Sequence, residues 1–138
     1  MKKIILFLVF GLFLSCKQSI SESDLQNLNG YWEIEKVELP DGDKKEYKVN
    51  ETIDFFKLES KKGFRKKVMP QLDGSYLTNN IQEEFVITVT NGNAVIGYKT
   101  NYASWKEEII ELSNDKLVVK NQQDLEYHYK RPIKFSIK

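Results

Sequence analysis

The sequence predicts one all-β domain, a single antiparallel up-and-down barrel of about eight to nine strands preceded by a short N-terminal helix. Three observations lead to this prediction. The chain has 138 residues, enough for one domain. From Tyr31 onward, short segments alternate apolar and polar residues with the period of two typical of half-buried strands. Tight turns join most of these segments, and such strands avoid exposed edges by closing on themselves. A two-sheet sandwich is the main alternative, because local pairing does not separate the two folds.

An apolar leader precedes the domain. Met1-Lys2-Lys3 is basic, and Ile4–Leu14 is an apolar run interrupted only by Gly11. As a helix this run would span about 16 Å, roughly half of a ~30 Å hydrocarbon core. Residues 1–15 therefore indicate a signal peptide and not a membrane-spanning helix.

The only cysteine of the chain, Cys16, directly follows this leader. Residues 13–16, Phe-Leu-Ser-Cys, resemble the lipobox of bacterial lipoproteins, although Phe13 and Leu14 are bulkier than the common residues there. The resemblance implies diacylglyceryl attachment to the Cys16 sulfur, cleavage before it, and acylation of the new amino terminus by chains such as palmitate. We therefore expect a lipid-anchored protein of the bacterial cell envelope, at the outer membrane. Residues 16–22 would form a lipidated tether, and residues 23–138 the domain. An ordinary secretory signal with an incidental cysteine is the alternative.

Composition and charge exclude several classes of protein. The whole chain has 21 Lys and Arg residues and 20 Asp and Glu residues. Without the two lysines of the leader, 19 basic residues remain against 20 acidic ones. The chain therefore has no excess of basic residues that would indicate a nucleic-acid partner. One cysteine excludes an intrachain disulfide, and one cysteine with one histidine argues against a cysteine-rich or histidine-rich metal site. No nucleophile elbow, phosphate loop or metal-ligand spacing is present. We expect no enzymatic activity, cofactor, metal ion or nucleic-acid partner.

The first element of the predicted domain is a helix of one or two turns over Ser23–Gly30. Ser21 or Ser23 is a suitable N-cap, and Gly30 a suitable terminator. Strands are then predicted at 31–39, 52–59, 64–69 and, more briefly, 75–77, with turns at Asp41-Gly42 and Asp73-Gly74.

The clearest local signal is a hairpin around Asn91-Gly92. This dipeptide accommodates the positive φ angles of a type I′ turn, which determines the register of the two flanking strands. On one face the register pairs Phe85 with Tyr98, Ile87 with Ile96 and Val89 with Ala94. On the other face it pairs Glu84 with Lys99, which is a favourable cross-strand combination.

Two further hairpins follow. A bend at 113–116 pairs Leu112 with Leu117 and Ile110 with Val119, and a bend at 122–124 pairs Tyr127 with Val119 and Tyr129 with Leu117. His128 then alternates outward and is predicted to be a surface residue. Neither Glu83-Glu84 nor Glu107-Glu108 forms a carboxylate dyad, because neighbouring residues of a strand face opposite sides.

Three short motifs occur in an order that resembles a known family. Gly30-Tyr31-Trp32 after a short helical turn, Thr100-Asn101-Tyr102 after a later strand, and Arg131 near the end resemble the pattern of lipocalins and bacterial lipocalin-like domains. Asn101 replaces the usual Asp, and the absence of a long helix after the eighth strand places the chain nearer the short lipocalin-like lipoprotein domains. The resemblance implies that Trp32 plugs the closed end of the barrel beneath a stacked Arg131, with Thr100 at the same end. Gly30, Trp32, Thr100 and Arg131 would thus be structural residues.

The same resemblance implies a small apolar or amphiphilic ligand inside the barrel. The candidate lining residues are Phe85, Ile87, Ile96, Tyr98, Ile110, Val119 and Tyr127. Arg65 and Lys67 share one face of a basic strand within residues 61–67 and are candidates to bind an anionic head group. The alternatives for this basic segment are contact with anionic lipid head groups of the membrane near the anchor and a solvated strand. The rival function is a non-enzymatic envelope accessory or inhibitor protein, in which a filled barrel acts through its surface on an unknown protein partner. The volume of the interior distinguishes the two.

Overall fold

A computed structural model describes residues 17–48 and 50–133, and within them one antiparallel sheet of ten strands. A 3₁₀ helix, Glu22–Leu28, precedes the sheet. The strands are β1 (Gly30–Glu38), β2 (Lys44–Glu46), β3 (Ile53–Glu59), β4 (Lys62–Pro70), β5 (Tyr76–Thr78), β6 (Glu83–Thr90), β7 (Asn93–Lys99), β8 (Ser104–Leu112), β9 (Lys116–Asn121) and β10 (Glu126–Lys130). In the part of the chain that the structure describes, no helix is long and apolar enough to cross a membrane. The predicted signal peptide and Cys16 lie outside the described residues.

Eight of the strands close into a barrel. The first strand, β1, pairs with β3 on one edge and with the last strand, β10, on the other. This pairing confirms the predicted all-β barrel and decides against the sandwich. The two remaining strands, β2 and β5, extend from β1 and β4. Strand β2 was not predicted, because its three residues are all charged and exposed and show no alternation.

The hairpin of β6 and β7 has the predicted register. Phe85 lies opposite Tyr98, Ile87 opposite Ile96 and Val89 opposite Ala94. Asn91 and Gly92 have φ angles of 51° and 78°, as a type I′ turn requires. The pairing of Tyr127 with Val119 and of Tyr129 with Leu117 is also confirmed.

A β-bulge in β8 overturns one predicted pair. Leu112 faces Leu117 as predicted, but Ile109 faces Val119 in place of Ile110. The register shifts between Ile109 and Glu111, so Ile110 is the extra residue of the bulge and lies half-buried. A bulge switches the side-chain alternation. The alternation counted back from Leu112 therefore assigns the wrong face to the residues before the bulge.

Residues 17–28 pack against one end of the barrel. The backbone N–H of Ser21 donates to Oδ2 of Asp24 (2.9 Å) at the start of the 3₁₀ helix, so the predicted helix and one of its two candidate caps are present. Gly30 is the first residue of β1, and Asn29 ends the helix. Part of the expected tether also belongs to the domain, since Ile20 is buried in the core and the Gln18 N–H donates to the Ile110 carbonyl (2.9 Å).

Trp32 and Arg131 form the closed end of the barrel, as the family resemblance implied. The indole of Trp32 is fully buried, and its Nε1 donates to the Leu28 carbonyl (2.8 Å). The guanidinium carbon of Arg131 lies 3.6 Å from the Trp32 ring centroid, within cation–π range. Its nitrogens donate to the carbonyls of Asn27 (2.8 Å), Asn29 (3.2 Å), Tyr31 (3.0 Å) and Asn114 (2.7 Å). Arg131 thus ties the helix, β1 and the turn before β9 together.

The Thr100 segment lies at the opposite end of the barrel, so its expected place is wrong. It joins the last residue of β7 to the first of β8, whereas Trp32 follows the beginning of β1. In an antiparallel barrel, the end of β7 lies at the end opposite the start of β1. Thr100 keeps a structural role there, because its Oγ1 accepts from the backbone N–H of Tyr102 and of Ala103 (both 3.2 Å).

The closed half of the barrel is filled with apolar side chains. Leu25 and Leu28 of the helix enter it from below, beside the Trp32 indole. Five of the residues expected to line a cavity, namely Phe85, Ile87, Ile96, Tyr98 and Val119, belong to the same packed cluster and are at most 3% exposed. The side chains of this cluster therefore fill the interior of the barrel below its open end.

We expect the substitution Arg131→Lys to lower the free energy of unfolding by about 2 kcal/mol, because lysine lacks the planar fork that bonds several carbonyls while stacking on an indole. Urea denaturation would measure this. Lys57→Gln, at an exposed position of β3, is the matched control and should change stability by less than about 0.5 kcal/mol. Equal stabilities of the two variants would contradict the role assigned to Arg131.

Candidate ligand site at the open end of the barrel

The inward face of the barrel changes from apolar to charged toward its open end. On β3, Asp54 lies on the same face as the core residue Phe56. On β4, Arg65 lies opposite Phe56 and Lys67 opposite Asp54. The two bases that the sequence analysis placed on one face therefore both face the inside of the barrel.

Arg65 is buried and lies between two carboxylates. Its side chain is 12% exposed, and its nitrogens lie 2.9 Å from Oε1 of Glu83 and 3.4 Å from Oε1 of Glu107. Its guanidinium carbon lies 4.4 Å from the ring centroid of Tyr98. Buried charges are tolerated when they are paired and hydrogen-bonded in this way.

Tyr98 lies between Arg65 and Trp105. Its ring is stacked on Trp105 at a centroid distance of 5.2 Å and an interplanar angle of 13°. Arg65, Tyr98 and Trp105 thus form a layered stack, with the guanidinium on the inside and the half-buried indole on the outside.

Lys67 lies at the boundary between the interior of the barrel and the solvent. Its Nζ lies 2.5 Å from Oδ1 of Asp54, a carboxylate that is only 2% exposed. The lysine side chain itself is mostly exposed. Asp54 therefore holds the lysine at the rim of the barrel, with its ammonium group accessible.

Burial and neighbouring charges both shift the pKa values of this cluster. Burial alone would lower the pKa of Arg65, but Tyr98 and the three nearby carboxylates raise it, so the guanidinium stays charged. Burial raises the pKa of Glu107, and the Arg65 guanidinium and the Tyr98 hydroxyl offset only part of that rise. Burial also raises the pKa of Tyr98 and of Tyr129, so both hydroxyls stay neutral. Strongly perturbed groups of this kind are concentrated at functional sites.

A cavity of about 360 Å³ opens beside this cluster, and we call it the mouth cavity. Its lining residues are Arg65, Lys67, Trp105, Lys106, Glu107, Asn121, Gln122, Gln123, Tyr127 and Tyr129. A wider cleft of about 1030 Å³ on the other side shares three of these residues, Arg65, Lys67 and Trp105. Exposed apolar side chains of two loops, Ile81 and Tyr102, line the wider cleft.

The structure brings only some of the predicted site residues to this mouth. Arg65, Lys67 and Tyr127 line the cavity. Tyr98 lies beneath it, within the stack. Ile110 does not reach the interior, because the bulge places Ile109 there.

Glu107 and Asp54 are interior residues that were not predicted. Both could have been found from strand register. Glu107 lies opposite the core residue Ile96, so extending the pairing of β7 into β8 would have turned it inward. Asp54 precedes Phe56 by two positions and shares its face.

The comparison with known families agrees with this geometry. A family model described as "Lipocalin-like domain" matches residues 28–119, two thirds of the chain. The chain belongs to the lipocalin-like domain family. Lipocalin-like barrels commonly bind small hydrophobic ligands, and the family is generally non-enzymatic.

Two solved structures are similar to this lipocalin-like domain. One is a lipocalin-like protein from Bacteroides uniformis ATCC 8492, with 12% sequence identity and a TM-score of 0.48, covering 77% of this chain and 99% of that one. The other is an uncharacterized protein from Bacteroides eggerthii DSM 20697, with 11% identity and a TM-score of 0.48, covering 76% and 99%. No curated protein matches the chain significantly.

We expect the stability of Glu107→Gln, measured relative to wild type, to increase as the pH rises above about 4.5. The pKa of Glu107 is raised from 4.5 in the folded protein, so the folded state binds this proton more tightly than the unfolded chain does. The contribution of Glu107 to stability is therefore greatest at low pH and falls as the carboxyl ionises. Urea denaturation of both proteins at pH 4 and pH 7 would measure the difference. A difference that is the same at both values would contradict the burial argument.

Proposed function

We propose that this lipocalin-like protein binds a small amphiphilic ligand with an anionic head group, held at the mouth of the barrel and not in its centre. The observation that carries the proposal is the mouth cavity itself. It combines aromatic and charged walls directly above a filled interior. Its volume of about 360 Å³ lies in the range typical of small-ligand sites.

The apolar part of the ligand would lie against the aromatic walls. Trp105 and Tyr127 are both half-buried and pack against the core cluster, so their rings are held in place. Rings of this kind bind apolar groups through their faces, while polar atoms at their edges orient the ligand. The Tyr127 hydroxyl already accepts from Nδ2 of Asn121 (3.4 Å).

The charge of the lining favours an anionic head group. Arg65 and Lys67 face the cavity, Lys106 borders it from the outer face of β8, and Glu107 is the one acidic residue of the lining. Glu83 and Glu107 compensate Arg65, so the head group would contact the two lysines, whose side chains reach solvent. A chain longer than the cavity would extend into the wider cleft, toward Ile81 and Tyr102.

Membrane anchoring through Cys16 is the second part of the proposal. Cys16 in its lipobox-like segment supports it, and so does the path of the described chain. Ile20 donates its backbone N–H to the Gly92 carbonyl (2.9 Å) at the β6–β7 turn, at the closed end. Lys17 contacts the side chains of Asn93 and Glu108. An anchor attached one residue before Lys17 would leave the mouth at the far end of the barrel, open to the periplasm or the medium.

The filled closed half favours a second candidate. The rival hypothesis is an accessory or inhibitor protein that acts through its surface on a protein partner. That hypothesis required a barrel with a packed interior. Native mass spectrometry of the protein purified from cells separates the two. A co-purified lipid or other amphiphile supports ligand binding, and the bare protein supports the rival.

Ligand binding at the mouth should change the fluorescence of Trp105. The chain has two tryptophans, and Trp32 is fully buried at the other end of the barrel. We expect dodecanoate to give a saturable change, stronger than dodecanol or dodecyltrimethylammonium at equal concentration, because two lysine side chains that reach solvent border the cavity. Trp105→Phe should abolish the change.

The charge of the mouth is tested by Lys106→Glu, which should weaken dodecanoate binding about fivefold, as expected from the loss of an exposed ion pair. Lys57→Glu makes the same change of charge on the outer wall and serves as the matched control. Equal effects of the two variants, or no saturable change with any of the three amphiphiles, would contradict the proposal.

The anchor is tested by Cys16→Ala, because a lipid cannot be attached without the thiol. We expect this variant to lose labelling by a fatty-acid analogue and to appear in the soluble fraction or to stay uncleaved. Ser15→Ala, which keeps a small residue before the cysteine, is the control. Normal membrane retention of the Cys16 variant would overturn the anchoring proposal.

A further inference from the structure

A second charged cluster lies on the outer face of the barrel, at the seam where β1 and β10 meet. It consists of Glu38 on β1 and of Glu126 and His128 on β10, and we call it the seam cluster. Glu38 is the direct cross-strand partner of Glu126. One ligand atom of each of the three side chains lies within 4.8 Å of the other two.

The imidazole of His128 faces outward, as its position in the alternation predicted, but its nitrogen is buried. The side chain is 13% exposed, and Nε2 has no hydrogen-bond partner among the residues that the structure describes. A buried nitrogen in this state costs free energy unless another group satisfies it. Nε2 lies 3.4 Å from Oε1 of Glu126 and 3.7 Å from Oε2 of Glu38, so it faces two carboxylate oxygens.

The two glutamates of the seam cluster also require a positive charge between them. Like charges directly opposite each other on antiparallel strands are destabilising. Lys36 neutralises one side, since its Nζ lies 3.2 Å from Oε1 of Glu38. This contact orients the Glu38 carboxylate and leaves Oε2 directed toward His128, as an outer partner of a metal ligand does.

We propose that Glu38, Glu126 and His128 bind a zinc ion. Ligand atoms around a tetrahedral zinc ion are about 3.4 Å apart, given bonds of about 2.0–2.1 Å, and the measured separations from Nε2 are 3.4 and 3.7 Å. Two carboxylates and a neutral imidazole balance the charge of the ion. One nitrogen and two oxygen donors suit zinc, and a water molecule would complete the tetrahedron.

Zinc in this place would link the first barrel strand to the last. Because the ligands come together only in the closed barrel, the ion binds the folded protein and stabilises it. The expectation of no metal site rested on ligand spacing along the chain and on the single histidine. It did not cover one histidine combined with carboxylates from opposite ends of the domain.

Titration of the metal-free full chain with zinc chloride in a calorimeter tests the proposal. We expect one ion per chain at micromolar zinc, and at least about tenfold weaker binding in both His128→Gln and Glu126→Gln. Glu35→Gln removes a carboxylate of β1 outside the cluster and should bind as wild type does. Zinc should raise the thermal midpoint of wild type and Glu35→Gln, and have little effect on the two ligand variants.

Nitrogen NMR of the full chain identifies the atom that binds. His128 is the only histidine, so its two imidazole nitrogens give one pair of signals. Zinc should shift the Nε2 signal more than the Nδ1 signal, a result that does not depend on the folding of any variant. The absence of saturable binding, an Nε2 signal unchanged at saturating zinc, or undiminished affinity in both ligand variants would overturn the proposal.

Discussion

The pairing of β1 with β10 is the contact on which the other features of the molecule depend. Without it, a sheet of short strands would keep two open edges and one apolar face in contact with water. Closure turns that face inward, so the alternate residues of each strand become the core. It also brings Arg131, which follows the last strand, onto Trp32 near the start of the first. The closed end, the mouth and the seam cluster therefore all follow from the joining of two strands that are far apart in the sequence.

The interior of the barrel is divided between stability and binding. Its closed half holds Trp32 and an aliphatic cluster, and the indole nitrogen donates to the Leu28 carbonyl. Its open half holds a buried arginine between two glutamates and a buried aspartate beneath a lysine. A buried ion pair often stabilises less than apolar residues of the same volume. These charged residues lie where the cavity opens. The part of the barrel in which buried charge lowers stability is therefore also the part in which a ligand would be recognised.

The local features of the fold could be predicted because they depend on neighbouring residues. Asn91-Gly92 determined the β6–β7 register, and the alternation around Tyr127 and Tyr129 determined that of β10. The bulge at Ile110 is different. Nothing in the sequence of β8 marks it, since both Ile109 and Ile110 are apolar and either could face the core. Alternation counted back from Leu112 across the bulge turns Glu107 outward, and only the pairing of β8 with β7 places it inside, opposite Ile96.

By itself, the sequence determined the strand content, the tight turns and the Trp32–Arg131 pair, because periodicity, turn chemistry and a three-residue motif are properties of adjacent positions. Only the tertiary structure decided that the closed half is filled, that the site lies at the mouth, that Thr100 lies at the opposite end, and that His128 meets two glutamates. Each of these depends on distances between strands that are remote in the chain. Such distances are set by the closure of the barrel and by the register shifts in β1 and β8, none of which has a local signal.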